Sequence, residues 1–189
     1  MKKLINRIKK GNQKGFTLLE LLIALAILAI IVAVAFPNFT TALRRAEATG
    51  VAVQYEKLKE ACLLYHSDVI DANYPWPEEY SDNSNKSQLF RNTPAVTGWK
   101  GPYIDKVLTT NKWGGVTRVR YDNCEQFDLD YDGSDETSGK NCYLELTKVK
   151  DKDAERIDLD IDRASDSDSG LVEYSGGTDN KTIKILIAD

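Results

Sequence analysis

Two sets of carboxylates carry most of the chemistry this sequence can do. The first is a single acid. Phe16 to Phe39 is an almost uninterrupted apolar run whose only charged residue is Glu20. A carboxylate at the centre of a bilayer costs about 2.5–3.5 kcal/mol or more, so its presence calls for a partner of opposite charge. The second set is Asp128, Asp130 and Asp132 followed by Gly133, with Asp135 close behind. A D-x-D-x-D-G core puts hard oxygen donors at alternate positions, and the glycine permits a sharp turn. That is the first half of a calcium loop. The bidentate Glu expected at the twelfth position is missing, because Gly139 stands there. The fourth ligand is therefore expected from Asp135, Glu136 or elsewhere. A second acidic group, Asp158, Asp160 and Asp162 with Asp166 and Asp168, lacks a glycine at the matching place.

The apolar run must position the first acid. Its 24 residues form about 36 Å of helix, enough to span a bilayer. Lys2, Lys3, Arg7, Lys9, Lys10 and Lys14 precede it with no acid among them. This places the N-terminus on the cytoplasmic side and the rest of the chain beyond the membrane. A secretory signal peptide would end in a small-residue site, which Ala33-Val34-Ala35 imitates, but its apolar region would be shorter.

Lys14-Gly15-Phe16-Thr17-Leu18-Leu19-Glu20, followed by an apolar helix containing Pro37, resembles the prepilin signature of the type IV pilin and type II secretion pseudopilin superfamily. The resemblance covers the first quarter of the chain. It implies cleavage between Gly15 and Phe16 by a prepilin peptidase and N-methylation of Phe16 by the same processing machinery. The apolar helix would stay with the mature protein. Glu20 would then neutralise the new Phe16 amine of a neighbouring subunit, an attraction far stronger in a low dielectric than in water. Such a pair fixes register whether or not it adds stability over an apolar isostere.

The resemblance further implies a helical homopolymer joined by minor pilins, an inner-membrane assembly platform and an ATPase. The chain would begin as a single-pass bacterial inner-membrane protein with its head in the periplasm. It would end in a periplasmic or cell-surface filament. Two other classes stay open: a membrane-anchored periplasmic binding module that never polymerises, and an exported enzyme held by an uncleaved anchor.

Composition narrows these classes. Of 189 residues, removing 15 leaves 174, enough for one long helix and one modest domain. The formal charge of −4 includes six basic leader residues, so the remainder carries −10. An acidic head is a poor partner for nucleic acid, and none is expected. No H-E-x-x-H, glycine-rich phosphate loop or G-x-S-x-G occurs, and an enzyme is not expected. The single histidine, His66, makes a zinc site improbable. Beyond the membrane the compartment is oxidising, and Cys124 and Cys142 flank the polar acidic loop. A bridge between them would contribute about 3 kcal/mol in the chain-entropy model. Cys62 belongs to a helical face and reads as a small buried hydrophobe.

The pattern predicts an α+β fold. Residues 1–15 are a basic leader, 16–39 the membrane or filament-core helix, 40–70 its amphipathic continuation and 71–189 a globular head. Val51, Tyr55, Leu58, Cys62, Tyr65 and Val69 step by four and three, forming one apolar stripe. Pro37 removes a helical hydrogen bond and invites a kink. Residues 71–101 read as an irregular connector anchored by Tyr74, Trp76, Tyr80 and Phe90. Asn85-Lys86-Ser87 and Asn180-Lys181-Thr182 match glycosylation sequons, which are weak signals. Strands are predicted at 116–121, 142–149 and 181–188, with a short helix at 153–161. They would form a small antiparallel sheet on the helical stripe. Gly101-Pro102-Tyr103 and Lys112-Trp113-Gly114-Gly115 resemble a segment of the major pseudopilins, which inclines the reading towards secretion over surface pili.

Overall fold

The computed structural model describes residues 15–73, 75–77, 88–92, 95–105, 110–122, 127–134, 136–137 and 139–188. The leader up to Lys14, the anchors Tyr74 and Tyr80, and the Asn85–Ser87 sequon lie outside them. The chain divides into two units, one ending at Ala42 and one running from Leu43 to Asp189.

Helix α1 spans Leu18–Asp68 and belongs to both units. In the first unit its leucines, isoleucines and valines are exposed all round. This helix is long and apolar enough to cross a membrane. The helical assignment continues through Pro37 without a break. The Thr40 and Thr41 hydroxyls donate to the Pro37 carbonyl at 2.9 and 3.0 Å.

In the second unit the predicted stripe is the buried face of α1: Val51, Tyr55, Leu58, Cys62, Tyr65 and the following Val69 are all buried. The 3–4 spacing puts these side chains on one line, and a sheet covers it. Strands β1 (Thr117–Asp122), β2 (Asn141–Val149), β3 (Val172–Gly177) and β4 (Asn180–Ala188) form one antiparallel sheet in the order β1-β2-β4-β3. Strand side chains alternate between faces. Val119, Leu144, Leu146, Ile183 and Ile185 therefore join the helical stripe in one core. The buried Tyr55 hydroxyl donates to the Leu186 carbonyl at 2.7 Å, tying helix to sheet. On the opposite face Arg118 donates to both Glu145 carboxylate oxygens, at 2.7 and 3.0 Å, and Arg120 pairs with Asp122.

Helix α2 (Asp151–Ile161) buries Ala154 and Ile157 against the same core. Asp151 and Asp153 lie in its first turn, where the helix dipole favours negative charge. Asp153 is buried, accepts the Trp113 indole N–H at 2.9 Å and lies 3.9 Å from Arg44. Replacing Trp113 with Phe keeps an aromatic ring but strips a donor from a buried carboxylate. The expected loss is about 1–3 kcal/mol of head stability, read by thermal melting. At the far end of α1, Asp68 accepts from Lys100 at 2.7 Å and from the Tyr103 hydroxyl at 3.1 Å. The Lys100 hydrogen bond holds the Asp68 carboxyl below its ordinary range. Trp76 is buried as a local anchor, stacked on His66 with ring centres 4.2 Å apart.

The three predicted strands and the short helix are present with boundaries shifted by one or two residues. Strand β3 was not predicted. It joins β4 through Thr178-Asp179, and Gly177 pairs with Asn180.

Candidate assembly and processing site

Glu20 sits where α1 begins. Thr17 precedes the first helical residue, so it occupies the N-cap and Glu20 the third helical position. The Glu20 N–H donates to the Thr17 hydroxyl at 3.2 Å. The Glu20 carboxylate accepts the Thr17 N–H at 2.8 Å and the Thr17 hydroxyl at 2.9 Å. This is a reciprocal capping box, T-x-x-E, which satisfies free N–H groups at a helix start. The sequence reading gave Glu20 only an intermolecular partner. The T-x-x-E spacing at 17–20 was the signal that would have revealed the local one. Phe16 lies just outside the box and is 91% exposed. Gly15 has nothing within van der Waals contact of a side chain built on it. Gly15, Phe16 and Glu20 are thus collected at an exposed helix start.

The second acidic feature is a loop across the head. Asp128, Asp130, Asp132 and Glu136 each offer a carboxylate oxygen, all within 4.8 Å of one another. The backbone shapes the cluster: Asp128, the buried member, accepts the Asp132 and Gly133 N–H groups at 3.3 and 2.9 Å. Asp132 accepts the Ser134 N–H at 2.8 Å, and Glu136 accepts the Leu129 N–H at 2.5 Å. Gly133 takes φ +84, the left-handed conformation that glycine tolerates best. Asp135 lies outside the described residues, and among those described Glu136 fills the fourth place. An all-oxygen set of this size fits a hard cation, whose ligands lie about 2.3–2.6 Å from the ion.

Cys142 is buried on the helix-facing side of β2, and no disulfide joins it to another of the described residues. Cys124 lies outside the described residues. Cys62 is fully buried in the stripe, as expected.

A long N-terminal apolar helix with a capped start, together with a small four-stranded antiparallel sheet, defines a pilin-like fold. Comparison with known proteins agrees. Residues 10–36 match the family model described as the prokaryotic N-terminal methylation motif. A fimbrial protein of Pseudomonas aeruginosa is 30% identical over 115 residues, covering 54% of this chain and 71% of that protein. The type IV major fimbrial protein FimA of Dichelobacter nodosus is 38% identical over 113 residues, covering 57% and 71%. The type IV wide pilus major component PilA4 of Thermus thermophilus is 40% identical over 88 residues, covering 44% and 60%. No solved structure matches. The chain belongs to the type IV pilin superfamily, whose members here are structural filament subunits.

Proposed function

We propose that this chain is a subunit of a surface type IV pilus. It would be inserted through α1 as a prepilin with its head in the periplasm, cut between Gly15 and Phe16 and methylated at Phe16. It would then polymerise through its N-terminal helix. The observation that carries this reading is the single acid of the apolar run, held at the helix start beside the new terminus. Glu20 of one subunit would neutralise the Phe16 amine of the next and so set the axial register. The all-round exposure of apolar side chains between Leu18 and Phe39 supports burial against lipid first and other subunits' helices afterwards. Assembly would use an inner-membrane platform, an ATPase and minor pilins. The relatives' own names, major pilin and fimbrial protein, favour the surface pilus.

The second reading is a type II secretion pseudopilin, favoured by the Gly101-Pro102-Tyr103 and Trp113-Gly114-Gly115 segments. Filaments sheared from intact cells and probed for this chain separate the two. Recovery from the surface at native expression supports the pilus, and confinement to the periplasm supports the pseudopilus.

The loop of Asp128, Asp130, Asp132 and Glu136 would hold calcium and fix the surface between β1 and β2. Chelation is expected to lower the melting temperature of the detergent-solubilised chain, and calcium to restore it. A Cys124–Cys142 bridge would close the same segment, and the mass of the alkylated protein before and after reduction tests it.

A further inference from the structure

The last turn of α2 breaks a local rule. Helix C-termini carry partial negative charge and favour Lys, Arg or His. Here Asp158, Asp160 and Asp162 crowd the end and no basic residue stands in the last turn. Asp160 is compensated, since Arg156 pairs with it at 2.9 Å. Asp158 is not. It is 0% exposed, and among the described residues its Oδ1 has no hydrogen-bond partner. Its Oδ2 accepts the Asp166 N–H at 2.9 Å. Among the described residues no lysine or arginine pairs with Asp158, Asp162 or Asp166. An ionised carboxylate buried with an orphaned oxygen and no counter-charge is costly. A neutral carboxyl costs far less to bury, and its Oδ2 still accepts the Asp166 N–H.

That hydrogen bond closes residues 162–170 over the end of α2. The segment leaves the helix through Arg163, whose φ of +62 turns the chain back. Two further bonds fasten it. The Tyr174 N–H donates to the Ser167 carbonyl at 3.0 Å, so the segment covers the outer edge of β3, the last strand of the sheet. The Gly170 N–H donates to the Asp128 carbonyl at 2.6 Å. The groups facing Asp158 are acids and phenols: Asp162 and Asp166 from the segment, Tyr131 from the 128–136 loop and Tyr174 from β3. Tyr55 of α1 faces Asp162, and the Thr49 hydroxyl of α1 donates to Asp160 at 3.2 Å. Lys181 of β4 lies over the Tyr174 ring and pairs with Asp151. Burial pushes the Asp158 carboxyl up to about 7; the Asp166 hydrogen bond opposes the rise, and the charges of Asp162 and Asp166 add to it.

We propose that Asp158 is a proton-operated latch on the head. While its carboxyl is neutral, residues 162–170 stay closed over the end of α2 and the edge of β3. Loss of the proton puts a charge into a buried place with acids around it and no paired base, and the segment opens. Opening returns water to Asp158. It also bares the Tyr174 N–H on an edge strand, where another chain can pair. The direction follows from proton linkage. The closed form holds a proton that the open form, with an ordinary carboxyl, releases. Closure is therefore strongest in acid and is lost as pH rises from about 4 through about 7. The ratio of open to closed segment is expected to rise at least about tenfold between pH 5 and pH 8.

The test is hydrogen exchange of the full chain in detergent, read by mass spectrometry at pH 5 and pH 8 and corrected for the intrinsic pH dependence of exchange. A chelator is present throughout, so that cation binding by the 128–136 loop plays no part. Peptides spanning 163–170 are expected to lose protection at least about tenfold at pH 8 relative to peptides of β2, the internal reference. Asp158→Asn keeps the size of the side chain and an acceptor for the Asp166 N–H but cannot ionise. It is expected to protect the segment at pH 8 as well as at pH 5, and to melt higher than the wild type at pH 8. Asp162→Asn leaves Asp158 in place and is expected to keep the loss of protection. The proposal is overturned if wild-type protection over 163–170 does not fall relative to β2, a result that needs no variant to fold. It is equally overturned if Asp158→Asn loses protection with pH as the wild type does, or if Asp162→Asn alone abolishes the loss.

Discussion

Replacing Glu20 with Ala or Leu is expected to leave membrane insertion intact and to abolish or disorder the filaments. Insertion depends on the apolar length of α1 and on the basic flank, and neither substitution touches them. On the proposed account assembly depends on a charge, because the free Phe16 amine of an incoming subunit would need a counter-ion in a low dielectric. The capping box adds a control that separates two roles of the same residue. Glu20→Gln keeps an acceptor for the Thr17 N–H and so preserves the helix start. It removes only the negative charge. If register is set by the ion pair, Glu20→Gln assembles as poorly as Glu20→Ala, with the chain at normal levels in the membrane fraction. Normal filaments from Glu20→Gln, with failure of Glu20→Ala, would reduce the role of Glu20 to capping its own helix.

The second large effect lies in the head. Gly115→Ala is expected to destabilise it by about 3 kcal/mol, through overpacking against rigid backbone. For a domain of this size that lowers the melting temperature by about 6–12 °C. The reason is steric. A methyl on Gly115 would be driven into the Thr147 carbonyl, part of the backbone of β2 itself. Neither side can give without disturbing the turn, where the Gly115 N–H donates to the Asn111 side chain at 2.9 Å. The Asn111 amide in turn donates to the Thr147 carbonyl at 2.8 Å. Gly177→Ala is the matched control, since nothing lies within contact distance there. It is expected to shift the melting temperature by only a degree or two, within the range of ordinary surface changes.

Much of the fold could be read from residue order because the governing patterns are local. The stripe from Val51 to Val69 announces a helix with one buried face, and that face is buried. Residues 142–149 announce a strand, while its central place, with partners on both sides, is set by the sheet. Strand β3 escaped because only Val172 to Ser175 carries strand character before Gly176 and Gly177. Its place is set by pairing with β4, a contact no local pattern reveals. The acidic loop was legible as a cation-type turn, but Glu136 rather than a twelfth-position residue completes the described cluster. Register along an irregular loop is decided by backbone hydrogen bonds such as Leu129 to Glu136. The orphaned Asp158 oxygen could not be foreseen at all. In the sequence Asp158 is one of five similar acids, and only the fold-back of residues 162–170 buries it.

The most direct test of the filament account is mass spectrometry of intact subunits from sheared, purified filaments. The account predicts a chain that begins at Phe16, carries one N-terminal methyl group and lacks Met1 to Gly15. Filaments without this chain, or a filament subunit that retains its leader, would contradict it.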